Sequence, residues 1–292
     1  MGQSIEFGKF LKAMRARLQP DPGVTFSARR VPGLRREEVA RLADVSTDYY
    51  TRLEQGRNIH PSRSVLSSVA RALELNDAES AHMFDLLENC GGQAVEPNST
   101  QRVQTSLLAL LEAVGEVPAV VLGRRTDVLA SNRTARLLFT DLCALPREQR
   151  NYTRWIMLDP AARVLFRDWH GAASDAVAEL RADVGRHPRD PEVSALVGEL
   201  AVHSEDFRQW WARHTVGQKS SGTVKLHHGL VGDLEVDFVH LIMPDDPEQS
   251  LRIYSAKRNS PSADALRLLT TCSEGEKPRT GHLSQPLEGT AP

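Results

Sequence analysis

The side chains best suited to chemistry lie in one stretch, residues 29–57, which reads RRVPGLRREEVARLADVSTDYYTRLEQGR. Arginines, threonines and acidic residues are interleaved there with a thin set of apolar residues. Arginine can donate two hydrogen bonds to a guanine edge, threonine can contact a thymine methyl group, and aspartate can accept a hydrogen bond from cytosine. The stretch is therefore either a solvated amphipathic helix or a surface that reads DNA, and its local structure decides between them.

Two short helices separated by a turn account for the pattern. Over residues 35–43 the apolar side chains follow the i, i+3, i+4 spacing of a helix, and they are Val39, Leu42 and Ala43. Ser46 is a good N-cap for a second helix that runs to about residue 55, where Gly56 is a good C-terminal stop. With Val45 and Leu53 turned inward, the two helices form a helix-turn-helix.

Residues 36–56, REEVARLADVSTDYYTRLEQG, resemble the lambda-repressor-like (Xre-type) helix-turn-helix. These motifs usually have glycine in the turn where this chain has Asp44, and aspartate tolerates the left-handed backbone better than most residues. The resemblance implies an all-α module of five helices, which we place at residues 5–18, 35–43, 46–55, 64–73 and 78–88. Its recognition helix is the third, with its N-terminal half in the major groove.

The outward face of that helix supplies the predicted contacts to bases, and its flanks supply contacts to phosphates. Arg36 is placed to contact phosphate or to buttress the motif. The predicted DNA-binding residues are Arg36, Thr47, Asp48, Thr51, Arg52, Arg57 and Asn58. Basic residues outnumber acidic ones over residues 1–63, which favours a polyanionic partner. The alternative is a helical module that binds a protein partner.

The rest of the chain changes character after residue 90. Residues 89–100, NCGGQAVEPNST, are typical of a linker, so we divide the chain into a DNA-binding domain (1–90), a linker (91–102), a second domain (103–271) and a disordered tail (272–292). A leucine-rich helix over residues 103–114 is a candidate connector or dimer helix.

An alternation of strands and helices follows. It predicts strands at 119–122 and 128–131, a helix from Asn132, and a long helix that begins at Asp159 and keeps Val164 and Trp169 on one inward side. Helices at 191–202 and 205–214 precede three strands over residues 223–256 and a last helix at 263–269. Two strands, a helical insert and a three-stranded meander indicate an α+β domain of the PAS type, with an antiparallel sheet of about five strands.

Four segments together resemble the MmyB-like transcription regulators of actinobacteria. They are the stretch quoted first, PAVVLGRRTDVLASNRTARLLF, RNYTRWIMLDPAARVLFRDW and FRQWWARHTVGQKSSGTVKLHH. The resemblance covers about residues 5–269 and implies an Xre-type DNA-binding domain followed by a PAS-like ligand-binding domain. The implied ligand is a small apolar molecule such as a fatty acid. The chain departs from the family at His228-Gly229, where the family tends to have His-Pro.

Nearly all large aromatic residues lie in this second domain, where they either pack the core or wall a small-molecule pocket. Two adjacent tryptophans, Trp210 and Trp211, cannot share one helix face, so one of them should lie at a pocket rim or an interface. Asn132 is either a polar anchor or a helix cap. The predicted ligand-binding residues are Leu122, Asn132, Leu137, Phe139, Trp155, Phe166, Trp169, Phe207, Trp210 and Phe238.

The sequence argues against several other classes of protein. His227 and His228 are adjacent in a strand and point to opposite faces, so with His240 they suggest no metal site. We find no phosphate-binding glycine loop and no catalytic motif, and predict no cofactor and no enzyme activity. Three scattered cysteines and the lack of a long apolar run predict a cytoplasmic protein without membrane contact. Because one recognition helix contacts only a half-site, we expect the protein to act as a homodimer on double-stranded DNA, in association with the nucleoid. The alternative is a cofactor-binding PAS-type sensor or an enzyme, with the first domain serving protein–protein interaction.

Overall fold

The chain folds into a helical domain followed by a domain built on a β-sheet. A computed structural model describes residues 2–19, 33–57, 61–88, 101–187 and 190–272, and every structural statement below concerns these residues. Apolar side chains collect into separate cores in the two domains. The predicted combination of an all-α first domain and an α+β second domain is confirmed. The predicted linker and tail fall mostly on residues 89–100 and 273–292, which lie outside the described residues.

Five helices make up the first domain: α1 (Gly2–Arg17), α2 (Arg36–Leu42), α3 (Thr47–Glu54), α4 (Arg63–Ala72) and α5 (Asp77–Glu88). The predicted bounds agree closely except for α1, which begins at Gly2 rather than at residue 5. Phe10, Val39 and Tyr50 are fully buried in the shared core. The prediction that Leu42 follows the buried stripe of α2 is wrong, because its side chain is 59% exposed at the end of a helix only two turns long.

The second domain contains one antiparallel sheet of five strands. They are β1 (Ala119–Leu122), β2 (Val128–Ser131), β3 (Ser221–His228), β4 (Gly232–Met243) and β5 (Asp246–Ser255), and their spatial order is β2-β1-β5-β4-β3. The bounds of β1 and β2 are those predicted. Side chains alternate between the two faces of β4, with Leu234 and Val236 buried and the intervening Glu235 exposed. One face of the sheet therefore lies against the core.

Helices cover both faces of this sheet. They are α6 (Thr105–Ala113), α7 (Arg133–Leu138), α8 (Tyr152–Leu158), α9 (Pro160–Leu165), α10 (Trp169–Arg186), α11 (Pro191–His203), α12 (Glu205–Ala212) and α13 (Pro261–Cys272). On the outer face, α6 buries Leu107 and Leu111 against Val121 and Leu251. The helices between β2 and β3 form the predicted helical insert and enclose the main core with the inner face.

The predicted long helix beginning at Asp159 is in fact two helices. Helix α9 ends at Leu165, and α10 begins at Trp169, where the Asp168 side chain accepts a hydrogen bond from the backbone of Gly171. Between them the backbone of Arg167 donates to the carbonyl of Lys225 in β3 at 2.9 Å. This pairing with a distant strand interrupts the helix, and it leaves Val164 68% exposed rather than inward.

The two domains contact each other where α5 packs against α10. Ala182 of α10 and Val216, which follows α12, pack against the core of the first domain. Within the described residues no helix combines the length and the apolar character that crossing a membrane requires.

Candidate functional site

The turn between α2 and α3 has the geometry that the sequence predicts. Asp44 has a left-handed backbone, with a φ of 55°, in the position where glycine is usual. The Ser46 side chain accepts a hydrogen bond from the backbone of Tyr49 at 3.1 Å and so caps α3. Gly56, with a φ of 62°, ends the helix. These local signals fix the angle at which α3 leaves the turn.

Helix α3 buries one face and exposes the other. Tyr50 and Leu53 lie in the core of the first domain. Thr47, Asp48 and Arg52 are exposed, and Thr51 beside them is half-buried. The four residues predicted to read bases therefore share one polar surface, which we call the α3 face.

A buried ion pair holds α3 against α1. The guanidinium Nη2 of Arg15 lies 2.7 Å from Oε1 of Glu54, and both side chains are almost completely buried. Arg36 donates from Nε to Oε2 of the same carboxylate at 2.9 Å. Gly8 allows this close approach, since a Cβ there would lie 2.3 Å from the carbonyl oxygen of Glu54. Of the two roles predicted for Arg36, the structure shows the buttressing contact; the side chain is half-exposed, and its contact with a phosphate stays a prediction.

Arg57 extends the polar surface beyond the end of α3. Its side chain is exposed, and no ion pair joins it to another described residue. Asn58, also predicted to contact DNA, lies outside the described residues. Arg52 and Arg57 are thus two cations held by the same helix end, one on the α3 face and one after it.

The second domain contains a partly open cavity of about 230 Å³ between the inner face of the sheet, α10 and the segment after α12. Two of the predicted ligand-binding residues, Phe166 and Phe238, line it. The remaining lining residues are Tyr152, Ala172, Asp175, Ala176, Ala178, Glu179, Thr215, Val216, Gly217, Lys219, Val224, Arg252 and Tyr254. Most of the lining is apolar, with charged residues at a few positions only.

A smaller cavity of about 20 Å³ lies beside the first, towards β1 and α7. Leu122, Phe139 and Trp155 line it, so three more predicted residues are close to the main cavity. Tyr152, Arg252 and Tyr254 line both cavities and separate them. The smaller space alone has room for little more than a water molecule.

The charged side chains of the main cavity are paired with each other. Arg252 lies 2.7 Å from Glu179, and both are buried in the wall. Lys219 lies 2.6 Å from Asp175 in a more exposed position. The lining therefore carries two cations and two anions and has no net charge.

Burial sets the protonation of the groups around Arg252. It lowers the pKa of His240 to about 4, helped by the charge of Arg252, so this histidine is neutral at pH 7. Burial also raises the pKa of Tyr152 and of Tyr254 above the usual value, so both phenols keep their protons. Although burial alone would raise the pKa of Glu179, the charge of Arg252 and the hydrogen bond that it donates outweigh burial and lower that pKa, so the carboxylate stays ionised.

The other predicted ligand-binding residues lie outside both cavities. Asn132 caps α7, accepting from Ala135 at 2.9 Å and donating to a carbonyl oxygen at 2.7 Å. Trp169 donates to the carbonyl of Ile156 at 2.8 Å and packs against the half-buried Trp210, with the two rings tilted by 46°. Leu137 and Phe207 also line neither cavity, and Phe207 is fully buried in the core.

Sequence reasoning missed the polar wall of the cavity. Arg252 lies in β5 between two apolar residues, and only the register with its neighbours shows that it faces inward. Glu179 belongs to an ordinary amphipathic stretch of α10. The signal that could have identified Arg252 is a charged residue at an inward position of a strand, and that position can be recognised only when the strand register is known.

Comparison with protein families covers nearly all of the folded chain. A helix-turn-helix domain family matches residues 6–83. The family described as MmyB-like transcription regulator ligand binding domain matches residues 103–269, more than half of the chain. The chain belongs to the MmyB-like transcription regulators. A comparison with curated proteins finds no match.

This membership assigns a task to each domain. An MmyB-like regulator with this architecture binds DNA through its helix-turn-helix domain and senses a ligand through its second domain. The α3 face lies in the domain that matches the helix-turn-helix family, and the 230 Å³ cavity lies in the domain that matches the ligand-binding family. Within the described residues no group of three or more potential metal ligands comes together.

Proposed function

We propose that this MmyB-like regulator binds a specific DNA operator through the α3 face and takes a small apolar molecule into the 230 Å³ cavity. The observation that carries the proposal is the cavity itself, which is partly open and is lined mainly by apolar side chains within the ligand-binding domain. The experiment is mass spectrometry of small molecules extracted from the purified protein. Recovery of one apolar compound at near-stoichiometric amount supports the proposal, and a protein that is clean and fails to bind any apolar compound contradicts it.

The size of the cavity limits the ligand. A cavity of roughly 150 Å³ accepts benzene, and sites for drug-sized ligands span about 300 to 1,000 Å³. At about 230 Å³ the cavity lies between them. A medium-length acyl chain fits this space, and a longer fatty-acid-like chain fits if movement of Tyr152 or Tyr254 joins the two cavities.

The arrangement of the α3 face supports base reading by a helix in the major groove. Arg52 has its guanidinium free to donate two hydrogen bonds to guanine, while Thr47 and Asp48 are exposed one turn earlier. Arg57 at the end of the helix supplies charge for a phosphate. In an Xre-type domain the recognition helix contacts bases and its flanks contact phosphates, and we assign residues 1–90 to such a domain.

A single such domain contacts one half-site, which rarely gives enough affinity in a genome of competing sites. We therefore propose a homodimer. Leu108 and Leu110 of α6 are 43% and 40% exposed, and Val239 and Leu241 of β4 are exposed on the same outer face of the sheet. These apolar side chains form a surface on which a second copy of the chain can pack. The dimer acts on DNA in the cytoplasm, in association with the nucleoid.

A further inference from the structure

The wall of the ligand cavity is also part of the contact between the two domains. Thr215, Val216 and Gly217, which we call the hinge segment, line the cavity beside α10. Val216 is only 3% exposed, and its side chain belongs to the hydrophobic core of the first domain. One short segment therefore touches both the ligand space and the DNA-binding domain.

Helix α10 makes the same connection along its length. Its N-terminal half carries Ala172 and Ala176 on the cavity wall, and Ala182 further along packs against the first domain. At Gly185 the helix meets His82 of α5 so closely that a Cβ would lie 2.2 Å from Nδ1 of the imidazole. His82 is itself buried and packs edge-on against Phe10, with ring centroids 5.3 Å apart.

The hinge segment is the softest wall of the cavity. Most of the other lining residues belong to strands and helices, whereas residues 215–217 have no regular structure; Phe166 lies between α9 and α10, where an isolated bridge ties it to Leu226 of β3, and Lys219 follows the hinge segment. The backbone hydrogen bond that ties the segment to α10 runs from Gly217 to the carbonyl of Ala178 and is long at 3.4 Å. An occupant that needs more room displaces this segment before it displaces the sheet or α10.

Resting on the proposed function, we infer that a ligand in the cavity regulates how firmly the DNA-binding domain is held. The ligand pushes the hinge segment away from the cavity and displaces Val216 within the core of the first domain. The contact of α5 with α10 then loosens, and with it the packing of α1 on α5. This path runs through direct contact between folded domains and does not need the linker. Because the coupling is a free energy shared by two sites, loosening the contact by other means must also strengthen ligand binding.

The first test needs no ligand. Phenylalanine in place of Ala172 fills the cavity from within, and Ala195→Phe places the same ring on an exposed position of α11 as a matched control. Hydrogen exchange of the full chain is then followed by mass spectrometry. We expect Ala172→Phe to speed exchange in peptides of α1 and α5 by about fivefold or more, and Ala195→Phe to leave them unchanged. Unchanged exchange in a folded Ala172→Phe protein overturns the inference.

The second test approaches the contact from the other side. Gly185→Ala forces the added Cβ against His82, whereas Gly198→Ala adds a Cβ that meets nothing within 4 Å. We expect the Gly185→Ala protein to bind methyl octanoate at least about fivefold more tightly than the wild type or Gly198→Ala, by calorimetry. Equal affinity in all three proteins overturns the coupling. If methyl octanoate and octanoic acid bind to none of them, the proposed ligand class fails, and the Ala172→Phe experiment alone decides the coupling.

Discussion

Arg252 and Glu179 form an ion pair inside the ligand-binding domain, with 2.7 Å between the guanidinium and the carboxylate. The pair lines the cavity, so it decides which polar group a ligand can carry. An incoming carboxylate finds both lining cations already paired, and burying an uncompensated charge costs several kcal/mol. A neutral ester or ketone meets no such cost.

We expect methyl octanoate to bind the full chain at least about tenfold more tightly than octanoate at pH 7, a difference of about 1.4 kcal/mol. Glu179→Gln frees the charge of Arg252 and should reverse this preference in favour of the acid. Glu235→Gln, on the exposed face of β4, is the control and should keep it. Calorimetry that finds acid and ester equally tight on the wild type contradicts this account of the wall.

Substitution of the two arginines at the end of α3 should affect DNA binding in different ways. Arg52→Ala should weaken binding to the cognate operator by roughly 1 to 3 kcal/mol and relax the preference at one base pair. Arg57→Ala should weaken binding to all sequences about equally and reduce the slope of affinity against salt. Fluorescence anisotropy with operator and scrambled DNA separates the two effects. An Arg52→Ala protein that keeps full affinity for the operator would show that the α3 face is not the reading surface.

Two buried histidines should make the protein sensitive to acid. Burial, with help from Arg181, lowers the pKa of His82 to about 3, and that of His240 falls to about 4. In the unfolded chain a histidine titrates near 6.5, so the unfolded state binds more protons as the pH falls below that value. The stability due to these neutral histidines is therefore complete above about pH 6.5 and is lost as the pH falls towards 4.

Between pH 7.5 and pH 5 each of these histidines should lower the free energy of unfolding by on the order of 2 kcal/mol. Urea unfolding at the two pH values measures the loss. His82→Asn should reduce the difference between them, and His203→Asn, at an exposed position, should not. An identical pH dependence in the wild type and the His82→Asn protein would mean that His82 is not held neutral in the fold.

The proposed dimer predicts that charge on α6 separates the subunits. Leu108→Asp replaces an exposed apolar side chain of this helix with a carboxylate. Because the interface is two-fold, the carboxylates of the two subunits then lie close together and repel each other. Val202→Asp adds the same charge at an exposed apolar position of α11, away from the proposed interface, and is the control. Light scattering should give a monomer for Leu108→Asp and a dimer for the control. A wild-type protein that is monomeric and protects one half-site in footprinting contradicts the dimer itself.

The sequence predicted the parts of the fold that short-range rules control. Ser46, Asp44 and Gly56 each satisfy a local backbone requirement, so the helix-turn-helix could be placed closely. The break between α9 and α10 could not, because it depends on a hydrogen bond between Arg167 and a strand 58 residues further on, at Lys225. The place of Arg252 depends on strand register in the same way. Aromatic content alone could not separate Phe238, which lines the cavity, from Phe207, which fills the core.

The central claim is that a ligand in the second domain changes DNA binding by the first. The most direct measurement selects an operator from random DNA with the full chain, then titrates the chain onto it with and without saturating methyl octanoate, or the compound extracted from the protein. The account predicts a selected consensus and a shift in operator affinity within about 5- to 150-fold, the usual range of allosteric coupling. A bound ligand that leaves the operator affinity unchanged would contradict it.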